Sequence, residues 1–229
     1  RSDPDALRLT GPDGRRRLGY SGPAGADYAG FEEIFRGPVE AVVEGFVPYL
    51  PLLEGRGPVI DLGCGRGEFL GLLREHGIEA RGVDADASML AVAKQRELDV
   101  RPGDLFEYLR SLPDESVGAV VSTQVIEHLP VEALRPLLAE TLRVLRADGV
   151  AILETVNPHA IDAFKSFWLD LTHVRPLYPE AMLMLAREVG FPEAEILFPT
   201  GIGDLEADLD RCGAYALVAR PSGPTTAIQ

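Results

Sequence analysis

The stretch VIDLGCGRGEFL, Val59 to Leu70, sets a carboxylate and three glycines where bare backbone can meet a ligand. A short apolar run closes on Asp61, then Gly63, Gly65 and Gly67 alternate, then a helix-like segment begins. Glycines in such a turn let backbone N–H groups approach a ligand closely, and the N-terminus of the following helix favours an anionic group. A second acid, Asp84, closes the next strand-like run twenty-three residues after Asp61. This is about where nucleoside-binding α/β folds place the acid that meets a ribose. One carboxylate can accept hydrogen bonds from both ribose hydroxyls. Together these features predict a nucleoside-containing cofactor.

The spacing also narrows the cofactor. Dinucleotide binding asks for G-x-G-x-x-G/A. Here the third glycine comes one place early, and Glu68 stands where a small residue belongs. Asp61 sits in the strand end, where dinucleotide folds usually keep an apolar residue. No Lys-Ser/Thr follows the glycines, so the phosphate-binding loop of nucleotide triphosphatases is excluded as well.

The elements that must carry these residues alternate regularly. Strand-like runs cover 58–62, 79–84, 98–101, 117–123 and 149–156, with helix-like segments at 67–76, 86–97, 104–111 and 130–146 between them. Strands alternating with helices imply an α/β fold, a mainly parallel sheet covered on both faces. Residues 157–178 break the rhythm with a long aromatic and polar stretch just beyond a strand C-terminus, where open α/β sheets bind ligands. A helix at 179–189 and strands at 193–198 and 213–219 complete the domain. Residues 1–30 are rich in Gly, Pro, Asp and Arg and read as an irregular arm. Phe31 to Leu53 has helical periodicity broken near Pro38 and Pro48. We therefore expect an arm or lid at 1–37, one domain at 38–221 with an acceptor-site insertion at 157–178, and a tail or linker at 222–229.

At 229 residues and 46% hydrophobic content, the chain can fill the core of one large α/β domain. A net charge of −14 argues against nucleic acid as a partner and against anionic membranes, because both reward Lys/Arg patches. No apolar run is long enough to span a bilayer, so integral membrane association is not expected. Two cysteines without C-x-x-C spacing fit a reducing, cytoplasmic setting. The sequence begins at Arg1 rather than Met, which leads us to expect part of a longer multidomain chain.

The remaining pattern, D-x-G-x-G-x-G over Asp61 to Gly67, resembles the class I S-adenosylmethionine-dependent methyltransferases. The resemblance extends over roughly residues 31–220. Asp84 in GVDAD, followed by Ala85, is similar to that family's ribose-binding acid. Asp104 in PGDLF, followed by Leu105, is similar to its adenine-binding acid. QVIEHLP, Gln124 to Pro130, resembles the segment that lines the methionine end and the transfer site. LRVLRADGVAILETVNP resembles the helix, turn and fifth strand that follow. The resemblance implies a Rossmann-like seven-stranded sheet of order 3-2-1-4-5-7-6 with strand seven antiparallel, and S-adenosyl-L-methionine as cofactor. Chemistry agrees, since the adenine amino group is a donor that Asp104 can accept, and an acidic protein suits a sulfonium cation. Asp104 could alternatively cap the helix that follows it, and Asp61 could orient the loop rather than touch the cofactor.

The segment 157–182 is similar to a glycan-associated bacterial subgroup that includes O-antigen chain-terminating enzymes. The shared residues are Asn157-Pro158, Phe167-Trp168, Asp170 and Thr172 to Leu177, with FEEIFRG at 31–37. This resemblance implies O-methylation in glycan biosynthesis, with a small-molecule or oligosaccharide acceptor bearing a free hydroxyl or terminal phosphate. Asn157, Trp168, Arg175 and Tyr28 are the candidate acceptor contacts. Arg175 suits an anionic group on the acceptor. Phe164 and Trp168, at i and i+4, also fit a buried helix stripe. Tyr20, Tyr28, Phe31 and Phe35 could cover the cofactor, and Arg36 could pair with its carboxylate. Other acceptors (a quinone, polyketide or amine) and a non-catalytic cofactor-holding module are the alternatives.

A hydroxyl is a poor nucleophile and calls for a base or a metal. His128, His173 and Asp170 are the candidate catalytic groups, because histidine accepts a proton near neutral pH. His128 could instead only fix its own loop. Gln124-x-x-Glu127-His128 resembles the E-x-x-E-H arrangement with which some O-methyltransferases hold a divalent ion. Glu127 and His128, completed by His173 or Asp170, are thus candidate ligands for Mg²⁺ or Mn²⁺.

Overall fold

The computed structural model describes residues 8–10, 16–18 and 39–222. The chain divides into two compact units, Arg1–Gly45 and Phe46–Gln229. In the first, β1 (Arg8–Thr10) and β2 (Arg16–Leu18) pair antiparallel, Leu9 opposite Arg17. The irregular reading of 1–30 missed this hairpin, because strands of three residues are too short for a period of two to show. Helix α1 (Val39–Phe46) begins in this unit. Tyr20, Tyr28, Phe31, Phe35 and Arg36 lie outside the described residues.

The second unit carries a seven-stranded sheet. Its strands are β3 (Val59–Leu62), β4 (Ala80–Asp84), β5 (Val100–Pro102), β6 (Val117–Thr123), β7 (Leu145–Val156), β8 (Glu193–Leu197) and β9 (Ala214–Arg220). They lie in the order β5-β4-β3-β6-β7-β9-β8, with β9 antiparallel to both neighbours. Counted from β3 this is 3-2-1-4-5-7-6 with the last strand antiparallel, as expected. Every residue of β3 and β6 is buried, the signature of central parallel strands covered on both faces. Helices α3 (Glu68–Glu75), α4 (Ala87–Gln95), α5 (Leu105–Ser111), α6 (Val131–Val144) and α8 (Pro179–Val189) cover the sheet after the short α2 (Leu50–Leu53). Leu134, Leu137, Leu138 and Val144 of α6 pack with Ile60, Val120 and Leu153 in the main core.

Parallel pairing brings the C-terminal ends of β3, β4, β6 and β7 to one edge. Leu62 lies opposite Val83, Asp61 opposite Val121, and Thr123 opposite Glu154. At the other edge the chain passes β6 so closely that a Cβ on Gly118 would stand 1.7 Å from the Arg56 carbonyl oxygen.

Two short helices stand outside the alternation expected from the sequence, α7 (Ile161–Phe167), foreshadowed only by the i, i+4 spacing of Phe164 and Trp168, and α9 (Leu205–Arg211). Each has seven residues, too few for helical periodicity to stand out. Local bonds fix α9 instead, with the buried Asp208 carboxylate accepting from Ile202 and Gly203 N–H at 2.8 and 3.0 Å. Among the described residues, no helix is long and apolar enough to cross a membrane.

Candidate active site

The glycine loop leaves β3 with Gly63 at φ +75°. A Cβ there would meet Val125 Cγ2 at 2.4 Å, so the turn needs glycine for conformation and for space. The same contact ties the loop to the segment leaving β6. Asp84, half-buried at the end of β4, knits the loop to its own strand. Its Oδ2 accepts from Gly65 N–H and its Oδ1 from Asp86 N–H, both at 2.8 Å. Each oxygen keeps a further lone pair for a hydroxyl donor. Capping of α4 falls to Asp86, whose Oδ1 accepts from Ser88 N–H, Ser88 Oγ and Met89 N–H. Those bonds hold the Asp86 carboxyl below its ordinary range. Ala85 between the two acids is exposed.

Asp61 is buried in β3 beneath the loop. Gly67 caps α3, whose first turn holds the buried Glu68 with Arg66 Nε at 2.7 Å. A carboxylate there occupies the positive end of the helix, the position a pyrophosphate takes in dinucleotide folds. The Cys64 thiol is pushed up by burial, then by Asp61 and Asp84, so it stays protonated and inert.

Asp104 caps α5, its Oδ1 accepting from Phe106 and Glu107 N–H at 2.9 and 3.0 Å. The capping alternative is thus realised in the fold, and Leu105 packs half-buried against the main core. Gln124 adopts φ +57° and is held through both of its ends. Its N–H donates to the Glu154 carbonyl at 3.0 Å and its Nε2 to Glu154 Oε1 at 2.9 Å. Glu154 also accepts the Tyr49 hydroxyl, whose own ionisation is driven up by burial and by that carboxylate. Sequence reasoning missed Glu154 and Tyr49; an acid inside an otherwise apolar strand was the one signal it offered.

Beyond Gln124 a single 3₁₀ turn, Ile126–His128, faces the 157–178 segment. Val174 N–H donates to the Glu127 carbonyl at 2.9 Å, and Tyr215 of β9 anchors the segment by donating to the Leu177 carbonyl at 2.9 Å. The His128 and His173 rings meet edge-on with centroids 4.6 Å apart. Thr172 Oγ1 lies 2.9 Å from His128 Nδ1 and 2.6 Å from Asp170 Oδ1. His173 Nδ1 lies 2.7 Å from the Phe167 carbonyl, and its Nε2 lies 3.8 Å from Asp170 Oδ2. Burial lowers the His128 pKa, and the neighbouring His173 lowers it further. Burial works against the Asp170 charge, yet the Thr172 bonds and the two histidines hold its carboxyl below the ordinary range. Thr172, which couples His128 to Asp170, was not singled out as a site residue, because a threonine carries no chemical signature in sequence.

Glu127 is 0% exposed, and burial pushes its carboxyl up to about 8. Its own backbone N–H and the Thr155 hydroxyl ease that rise, and the Glu154 and Asp170 charges add to it. One ligand atom from each of Glu127, His128 and His173 lies within 4.8 Å of the other two. Gln124 is not part of this convergent group.

One acceptor assignment changes, and one alternative falls away. Asn157 is fully buried and its amide holds the fold. Its Nδ2 donates to the Leu209 and Cys212 carbonyls at 2.8 and 2.9 Å, and its Oδ1 accepts from His159 N–H at 3.1 Å. It has no face for an acceptor. The buried aromatic of α7 is Phe167, whereas Trp168 is 54% exposed, so the Phe164–Trp168 stripe does not enter the core. Helix α7 ends at Phe167 and the chain turns before the stripe can continue. Arg175 is exposed, and His159 pairs with Glu180 at 2.9 Å.

Comparison with known proteins gives consistent matches. Residues 60–153 match the family model described as a methyltransferase domain. A SAM-dependent methyltransferase from Archaeoglobus fulgidus, of known crystal structure, superposes with a TM-score of 0.77 at 30% identity, covering 85% of this chain and 100% of that one. A probable S-adenosylmethionine-dependent methyltransferase of Mycolicibacterium smegmatis is 32% identical over 154 residues, 65% of this chain and 58% of that protein. A malonyl-[acyl-carrier protein] O-methyltransferase of Serratia marcescens is 27% identical over 164 residues, 63% of each chain. The match thus spans little more than half the length of the mycobacterial relative.

Proposed function

Because the chain belongs to the S-adenosylmethionine-dependent methyltransferases, we propose that it transfers a methyl group to a hydroxyl of a saccharide-class acceptor. The Asp84–glycine-loop unit fits the family's cofactor. Its carboxylate keeps lone pairs for ribose, Gly63 leaves no room for a side chain, and Glu68 fills the place of a phosphate site. Asp84 with Ala85 would hold the ribose, and Gly63, Gly65 and Gly67 would present backbone to the cofactor. Asp61 would set the loop from below. Asp104 and Leu105 would border the adenine, Asp104 through the oxygen not used in capping, and Gln124 would border the methionine end. When bound, S-adenosylmethionine supplies an electrophilic methyl carbon on a sulfonium.

The observation that carries the hydroxyl reading is the group of half-buried His128, Asp170 and His173 linked by the exposed Thr172, set shortly after the residue that touches the glycine loop. A carboxylate acceptor has no proton to lose and would need no such group. In transfer, the acceptor oxygen bonds to carbon as the carbon–sulfur bond breaks, its electron pair stays on sulfur, and the hydroxyl proton passes to this group. Trp168 offers an exposed ring for a sugar face and Arg175 a fork for an anionic substituent.

The test is an acceptor panel with labelled methyl donor, comparing glycosides and oligosaccharides with carboxylic acids, phenols and amines. Label in a glycoside, with turnover lowered about a hundredfold in His128→Ala and S-adenosylhomocysteine affinity unchanged, is the expected result. Exclusive labelling of carboxylic acids would overturn the hydroxyl reading.

A further inference from the structure

We infer that Glu154 and Tyr49 are positioning residues for the cofactor's methionine end, acting through the side chain of Gln124. The inference rests on the placement of Gln124 beside that end and is independent of which acceptor is methylated.

Gln124 directly follows β6, and the next residue, Val125, packs on Gly63 of the glycine loop. Its φ of +57° lies in the left-handed region, which is unfavourable for a residue with a side chain and persists only where the surroundings impose it. One residue imposes it. Glu154, near the C-terminal end of β7, accepts the Gln124 N–H on its carbonyl at 3.0 Å and the Gln124 Nε2 on its Oε1 at 2.9 Å. Glu154 is itself held, because its Oε2 accepts the Tyr49 hydroxyl. Tyr49 is wholly buried and stands edge-on to Phe69 of α3, the helix that follows the glycine loop. Burial and the Glu154 carboxylate drive the Tyr49 ionisation up, so its hydroxyl remains a donor. The contacts therefore join α3, β7 and the segment leaving β6.

The network also decides what Gln124 offers. A carboxylate oxygen only accepts, so the amide nitrogen must face Glu154, and the carbonyl Oε1 is the end kept for a ligand. Donation to a charged carboxylate polarises an amide and strengthens its carbonyl as an acceptor. The methionine end carries one cationic donor, its ammonium, and one anionic acceptor, its carboxylate. A polarised carbonyl suits the ammonium and disfavours the carboxylate. Without Glu154 the amide is free to turn over, and the two groups are no longer told apart.

The experiment is calorimetric titration of the full chain, with no acceptor present, by S-adenosylhomocysteine and two analogues, one lacking the amino group and one lacking the carboxylate. Wild type should prefer S-adenosylhomocysteine to the amino-free analogue by about tenfold or more. In Glu154→Ala that preference should fall to about twofold, while the preference over the carboxylate-free analogue stays unchanged. Glu154→Gln keeps an acceptor without the charge, and Tyr49→Phe removes only the hydroxyl; each should lower the preference about threefold. Gln124→Gly suits the left-handed backbone and should abolish it. Circular dichroism and urea denaturation identify variants that fold, and if Glu154→Ala does not, Glu154→Gln and Tyr49→Phe carry the same comparison. Equal wild-type affinity for S-adenosylhomocysteine and its amino-free analogue would overturn the inference. So would full preference in the folded Glu154 and Tyr49 variants, or an equal loss of affinity for all three compounds, as simple loosening of the fold would give. Gln124→Gly binding all three compounds as wild type does would show instead that Gln124 is misplaced, and the inference would fall with that placement.

Discussion

Replacing Asp84 by alanine removes an acceptor that serves the fold and the cofactor together. In the free protein its two oxygens each accept one backbone N–H at 2.8 Å, from Gly65 and Asp86. Hydrogen bonds to a charged group contribute about 1.5–3 kcal/mol each, and solvent at this half-exposed site moves the value toward the lower end. The ribose hydroxyls should use the remaining lone pairs of the same carboxylate. Losing their acceptor should cost about 1.5–3 kcal/mol of binding, roughly a ten- to hundredfold rise in Kd. The neighbouring acid separates this from a general loosening of the loop. Asp86→Ala deletes three bonds that cap α4 and should cost about 1 kcal/mol of stability, with the cofactor site intact. Calorimetric titration with S-adenosylhomocysteine, alongside urea denaturation, measures both terms. Binding by Asp84→Ala within about twofold of wild type, or equal weakening in Asp86→Ala, would refute the assignment.

Gly118→Ala would drive a methyl group into the Arg56 carbonyl, 1.7 Å from its Cβ, and both partners are backbone. We expect a loss of about 3 kcal/mol or more by urea denaturation, or failure to fold. Glu127 supplies a pH dependence. Its carboxyl is pushed up to about 8 in the fold against an ordinary 4.5, so the folded chain holds one more proton between these values. The resulting stability is complete below about pH 4.5 and is lost as pH rises through about 8. The denaturation midpoint of the metal-free chain should fall across that window. Glu127→Gln should flatten the fall, and an unchanged slope would show that the carboxyl is not buried as described.

The alternation of strands and helices was legible because it is local. Apolar runs such as Val117–Thr123 can only be central strands, and Gly63 and Asp84 announce a turn and a strand end by their own conformational and hydrogen-bonding needs. The acceptor region was legible only as a set of residue types. Its geometry depends on which loops the sheet register brings together. Asp104 could cap or bind, and the start of α5 directly after it gives one of its two oxygens to the cap. Asn157 looked like an acceptor contact until α9 and the residue after it took both hydrogens of its amide. Glu154 meets Tyr49 across 105 residues, and His128 meets Thr172 across 44. No local propensity encodes such distances. The sequence alone determined the fold class and the glycine-acid cofactor motif, because each is written in short-range periodicity and backbone conformation. The convergence of Glu127, His128 and His173 was decided by tertiary structure, because it requires the 157–178 segment to be pinned by Tyr215 and the Glu127 carbonyl against the turn that leaves β6.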